Sequence, residues 1–151
     1  MSDNVYLGNP NLKKANTAIE FTQEQIIEFV KCKEDPVYFA NNYIKIVSLD
    51  EGLTQFHPYH FQEKLINNFH ENRFNICKMP RQTGKSTTVV SYLLHYAVFN
   101  DSVNIGILAN KAATARELLG RLQTAYENLP KWMQQGIIAW NKGSLELSLI
   151  H

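Results

Sequence analysis

Apolar residues recur at helical spacing in several stretches of this chain, with short apolar runs between them. Thr22 and Gln25 form a capping box, in which each side chain satisfies the other residue's free amide, and this predicts a helix start. Ile26, Ile27, Phe29 and Val30 then make one apolar stripe. Asp35-Pro36 predicts a second start, an acceptor at the cap and a proline at the first helical position, with Val37, Phe39, Ala40 and Tyr43 facing inward. A third helix is predicted from Pro58 to about Asn72, with Phe61, Leu65, Ile66 and Phe69 on one face. A fourth runs from Lys85 to Phe99 with Val89, Leu93 and Ala97 inward. A fifth covers Ala112–Leu129 through Ala115, Leu118, Leu119, Leu122 and Tyr126.

Between the helices, Ile44–Val47 is β-branched and precedes an Asp50-Glu51-Gly52 turn. Phe74–Met79 reads as a central strand and Val103–Ala109 as a parallel strand buried on both faces. Ile137–Trp140 and Leu145–Leu149 read as strands around an Asn141–Ser144 turn. Strand, helix, strand, helix predicts a right-handed crossover and an α/β fold on a parallel sheet. Residues 1–20 lack periodicity and are expected to be a mobile or partner-dependent arm.

At 151 residues, 44% hydrophobic and 19% charged, the chain has the size and composition of one globular domain. A formal charge of +1 gives no global basic field, so contact with nucleic acid would need a local patch. Cys32 and Cys77 are too few for a disulfide framework and are expected to be reduced thiols. Met1–Pro10 is polar, unlike a signal peptide, and no run approaches the roughly 18 apolar residues of a membrane span. The expectation is a soluble, intracellular protein with no membrane association.

The chemistry concentrates at Met79-Pro80-Arg81-Gln82-Thr83-Gly84-Lys85-Ser86, close to the phosphate-loop pattern of glycine, four residues, then Gly-Lys-Ser/Thr. Met79 stands where the first glycine belongs. Gly84 lets backbone amides approach phosphate oxygens, and the following helix start adds partial positive charge. Lys85 can bridge β- and γ-phosphates, and the Ser86 hydroxyl suits Mg²⁺. Arg81 adds a guanidinium that can read γ-phosphate charge. The expected ligand is a nucleoside triphosphate with Mg²⁺. His57 and His60 have ligand-like spacing but no Cys or carboxylate partners, which argues against zinc. Tyr38, Phe39, Tyr43, Tyr59 and Phe61 read as core packing rather than a base-stacking platform. Lys111, Arg116 and Arg121 read as a solvated helix face.

The string Cys-Lys-Met-Pro-Arg-Gln-Thr-Gly-Lys-Ser-Thr from Cys77 to Thr87 resembles the deviant Walker A of large terminase subunits from T4-like tailed bacteriophages, which keep an arginine early in the loop. The resemblance extends to Asp35-Pro-Val-Tyr-Phe-Ala40, Asn42-Tyr-Ile-Lys45, Phe61-Gln62, Gly106-Ile-Leu-Ala109 and Trp140-Asn-Lys-Gly-Ser-Leu-Glu-Leu147. It implies a P-loop NTPase core of the ASCE/RecA-like kind, a parallel sheet with flanking helices, truncated here and preceded by a helical N-terminal region. In that scheme residues 1–20 are the arm, 21–56 the helical subregion and 57–151 the first part of the ATPase domain. The implied activity is an ATPase that pumps double-stranded DNA into a procapsid in the host cytoplasm. The implied partners are a portal protein, a small terminase subunit and further copies in a ring.

The resemblance places Phe61 and Gln62 at adenine, and a carboxamide can both donate to and accept from that base. It places Pro80, Arg81, Gln82, Thr83, Gly84, Lys85, Ser86 and Thr87 around ATP, with Lys85 and Arg81 as the catalytic cations and Ser86 on Mg²⁺. Hydrolysis further needs a strand ending in Asp and Glu, for the Mg²⁺ shell and the attacking water. None follows Ser86: Asp101 lies at a helix end, Glu117 and Glu127 on a helix, and Glu146 within a strand. The chain is therefore expected to be an N-terminal piece, catalytically incomplete. Two alternatives are a helicase-like translocase fragment and a non-catalytic module gripping a portal or small-subunit partner.

Overall fold

The computed structural model describes residues 4–48 and 50–148. In chain order these form β1 (Val5–Tyr6), β2 (Asn9–Lys13), α1 (Gln23–Glu34), α2 (Pro36–Tyr43), β3 (Lys45–Ser48), β4 (Gly52–Gln55), α3 (His60–Glu71), α4 (Lys85–Phe99), α5 (Ala112–Glu127), β5 (Ile137–Trp140) and β6 (Leu145–Leu147). The strands pair as three separate antiparallel hairpins, β1–β2, β3–β4 and β5–β6. Their registers run Val5 opposite Lys13, Lys45 opposite Gln55 and Ile137 opposite Leu147.

The expected parallel sheet, and with it the ASCE/RecA-like P-loop NTPase core, is not what the chain forms. The sole parallel contact among the described residues is an isolated bridge between Lys14 and Ile137. Phe74–Met79 and Val103–Ala109 belong to no strand. Phe74 is 81% exposed and Ile76 fully so, where a central strand would bury both. A strand needs a neighbour's N–H and C=O groups as well as apolar side chains. Among the described residues, neither segment makes a backbone–backbone hydrogen bond.

The helix starts follow the local signals. Thr22 and Gln25 form the capping box, with Gln25 N to Thr22 Oγ1 at 3.2 Å and Thr22 N to Gln25 Oε1 at 3.1 Å. The Asp35 carboxylate accepts from the amides of Val37 and Tyr38 at 2.9 Å each, ahead of Pro36. Two apolar faces differ from expectation. On α1, Ile26, Ile27 and Val30 are exposed, and Phe29 and Cys32 turn inward instead. On α4 the buried row is Thr88, Val90, Ser91, Leu94, His95, Val98 and Phe99, while Val89, Leu93 and Ala97 are half-buried.

α4 is the centre of the molecule, packing against α2, α3 and α5. Its apolar residues join Phe39 and Ala40 of α2, Ile66 of α3, and Leu122, Ala125 and Tyr126 of α5 in one core. Aromatic edges knit it together, with Phe39 to Phe99 at 5.3 Å and Phe29 to Phe99 at 4.9 Å between ring centroids. Residues expected to be an arm instead carry β1 and β2, and Leu12 joins the core. Gln134 holds them there: its Oε1 accepts from Lys13 N at 3.0 Å and its Nε2 donates to Asn11 O at 2.8 Å. Gly136 passes so close to the Ala15 backbone that a Cβ there would collide with it.

Buried polar groups are mostly satisfied, and His95 is the informative exception. Its Nε2 lies 2.9 Å from Cys32 O in the last turns of α1, while its Nδ1 and the nearby Ser91 Oγ find no partner among the described residues. Burial pulls the His95 pKa down to about 4 from its ordinary 6.5. The folded state therefore binds this proton less well than the unfolded chain. The neutral ring's contribution is fully present above about pH 6.5 and is lost as pH falls toward 4, a change of about 3 kcal/mol. Urea unfolding across that range should show stability falling in acid, and His95→Leu should flatten the profile. An unchanged slope in that variant would refute the assignment.

A candidate phosphate-binding loop at the start of α4

A turn into α4 is present where the phosphate loop was expected, without the strand expected before it. Residues 80–84 turn from segment 74–79 into α4, and Gly84 is the N-cap with φ 71° and ψ 18°, a left-handed conformation that glycine adopts without strain. Gln82 also has a positive φ, 60°, which is uncommon for a residue with a side chain. The Thr88 amide and hydroxyl both donate to Gly84 O at 3.0 Å, closing the first helical turn. Ahead of it, the amides of Lys85, Ser86 and Thr87 make no hydrogen bond among the described residues, and no side chain caps the helix. Three free N–H groups at a helix start favour an anion.

The same loop carries two cations. The Arg81 side chain is exposed and makes no hydrogen bond or ion pair among the described residues. The Lys85 ammonium folds back, donating to Met79 O at 2.9 Å and to Pro80 O. It therefore occupies the loop's own carbonyls, and phosphate would have to draw it away. Thr83 Oγ1 also donates to Pro80 O, at 3.0 Å. Ser86 is exposed on the first turn and Thr87 half-buried beside it.

Gln62 is buried and straps the loop to α3. Its Oε1 accepts from Tyr59 N at 2.8 Å, and its Nε2 donates to Thr83 O at 3.3 Å. One lone pair and one N–H of the carboxamide stay uncommitted, the two groups an adenine edge would need. Phe61, expected in the core, is 45% exposed and stacks on the 71% exposed Tyr59, with centroids 5.9 Å apart and planes 10° from parallel. Both belong to the aromatic set expected in the core. In fact only Tyr38, Phe39 and Tyr43 pack there, leaving an exposed aromatic pair beside the strap.

A Cβ at Gly84 would collide with Gln62 Nε2 while adopting a left-handed φ. Gly84→Ala should therefore break the strap and lose about 2 kcal/mol of stability, the left-handed penalty plus one hydrogen bond. Thermal unfolding checks this, and an unshifted midpoint would contradict it.

The other candidates sort simply. Among the described residues, no group of three or more His, Cys, Asp or Glu could hold a metal, and His60 instead lies 3.6 Å from Glu63. Mg²⁺ would thus meet Ser86 and otherwise depend on phosphate and water for ligands. Glu117 pairs with Arg121 and Glu127 accepts from Asn9, so neither stands ready as a base. Cys32 is buried with its thiol pKa pushed up to about 12, whereas Cys77, expected inside an apolar strand, is exposed. No helix among the described residues is long and apolar enough to cross a membrane. No protein-family model matches this chain.

Proposed function

We propose that residues 80–87 bind the polyphosphate of ATP with its Mg²⁺, as the nucleotide-gripping part of a motor that packages double-stranded DNA into a viral procapsid. The observation that carries the reading is the set of three amides at the start of α4 unpaired among the described residues, in a loop that also carries Lys85 and Arg81. Phosphate oxygens satisfy the amides, Lys85 exchanges two carbonyls for the β- and γ-oxygens, and Arg81 meets the terminal charge. Tyr59 and Phe61 offer a face for the base, and Gln62, buried beneath the loop, would meet it only if the loop opened. The motor assignment draws on the resemblance of Cys77–Thr87 and its flanking strings to large terminase subunits, which also supplies the portal, small-subunit and ring partners. The proposed role is binding without steady turnover, because among the described residues no Asp–Glu pair accompanies the loop.

Trypsin offers a direct test, since Arg81 is exposed. ATP–Mg²⁺ should slow cleavage after Arg81 and AMP should not, because AMP lacks the β- and γ-phosphates. Equal cleavage with ATP–Mg²⁺, with AMP and with no nucleotide would defeat the reading. A second role has its own observation: α1 exposes Ile26, Ile27 and Val30 at 53%, 63% and 47%, an apolar row suited to a protein partner such as the portal or small subunit.

A further inference from the structure

Residues 103–109 have the alternation of a β-strand without a neighbour. Val103, Ile105 and Ile107 are half-buried, lining a groove of about 650 Å³ with Ala115, Leu119 and Leu122 of α5. Asn104, Gly106 and Leu108 point outward, Leu108 being 92% exposed. Among the described residues, no backbone–backbone hydrogen bond involves this segment, so its N–H and C=O groups form an open edge. The group that satisfies such an edge is another extended main chain.

We propose that residues 103–109 pair antiparallel with the same segment of a second copy, about a two-fold axis at Gly106. Three observations choose that occupant. The segment, Val-Asn-Ile-Gly-Ile-Leu-Ala, is pseudo-symmetric about Gly106, so Ile105 falls opposite Ile107 of the partner subunit and extends one apolar floor. It holds no charge and no proline, the devices that blunt exposed edges, whereas the other open segment carries Lys78 and runs into Pro80. A net charge of +1 on 151 residues gives two copies little reason to repel.

In this register Asn104 faces Leu108 of the partner subunit on the outer surface, and both positions are exposed in the single chain, so changing them leaves its fold intact. Sedimentation equilibrium should show the mass rising with concentration from 17.4 kDa to twice that. The double variant Asn104→Lys, Leu108→Lys sets like charges opposite and should weaken the dimer on the order of tenfold. Asn104→Lys with Leu108→Glu sets opposite charges there and should restore it. Circular dichroism of each variant establishes that the fold is kept. A monomer at every concentration overturns the proposal and leaves the edge to a strand of a different polypeptide. A dimer indifferent to the lysines, or one the charge-swapped variant fails to restore, overturns it too.

Discussion

Lys85→Ala should remove detectable ATP–Mg²⁺ binding while the chain stays folded. Two charge-assisted contacts to phosphate, at about 1.5–3 kcal/mol each, are lost together, so affinity should fall by a hundredfold or more. The native ammonium lies on Met79 O and Pro80 O, which remain free to bond water in the variant because Pro80 is exposed and Met79 only half-buried. Unfolding should therefore shift far less than binding. Calorimetric titration of ATP–Mg²⁺ into both proteins decides the matter, and equal affinities would end the proposal for Lys85. Lys85→Arg should bind at intermediate strength, since its charge persists but its geometry differs.

Phe39→Ala should have the largest effect on stability. Phe39 is wholly buried between α2 and α4, with its ring 5.3 Å from Phe99, 5.5 Å from His95 and 6.2 Å from Tyr43. Emptying that site removes transfer free energy and three aromatic contacts, and helices on both sides limit collapse into the gap. The expected loss is about 3–5 kcal/mol, or roughly 10 °C in melting temperature for a domain of this size. Phe39→Leu should lose much less, because more of the volume is kept. A midpoint within about 2 °C of the parent for the alanine variant would mean the site is not the packed centre described.

Which features could be read from the sequence depends on where each residue's partner lies. Thr22 with Gln25, Asp35 with Pro36, and the Asn141 turn all close within four residues, so their chemistry is written locally; Asn141 Oδ1 accepts from Gly143 N and Ser144 N at 2.8 Å each. The loop into α4 was readable for the same reason. Strand pairing was not, because Phe74–Met79 has strand composition but no neighbour to complete it. Helix faces misled where polar groups are buried: Thr88, Ser91 and His95 lie on the inward side of α4, so the buried face is rotated from the expected stripe, whose Val89, Leu93 and Ala97 are half-buried. No local pattern marks Gln62, Gln134 or Gln135 as buried. Gln62 reaches Thr83, Gln135 Nε2 donates to Val98 O at 2.7 Å, and Gln134 reaches Lys13. In each case the partner is remote in sequence, beyond any local pattern.

The Gln134 clasp sets an order on how this chain is made. Lys13 and Gln134 are 121 residues apart, so a ribosome must add all of those residues before the two can meet. Until then the β1–β2 hairpin, a small two-stranded unit, has little to hold it together. Closing so long a loop is slow, and the hairpin, though made before Gln134, becomes among the last elements to be secured. Nascent chains halted short of residue 134 should therefore leave this leading hairpin open to protease, and release past that point should shield it.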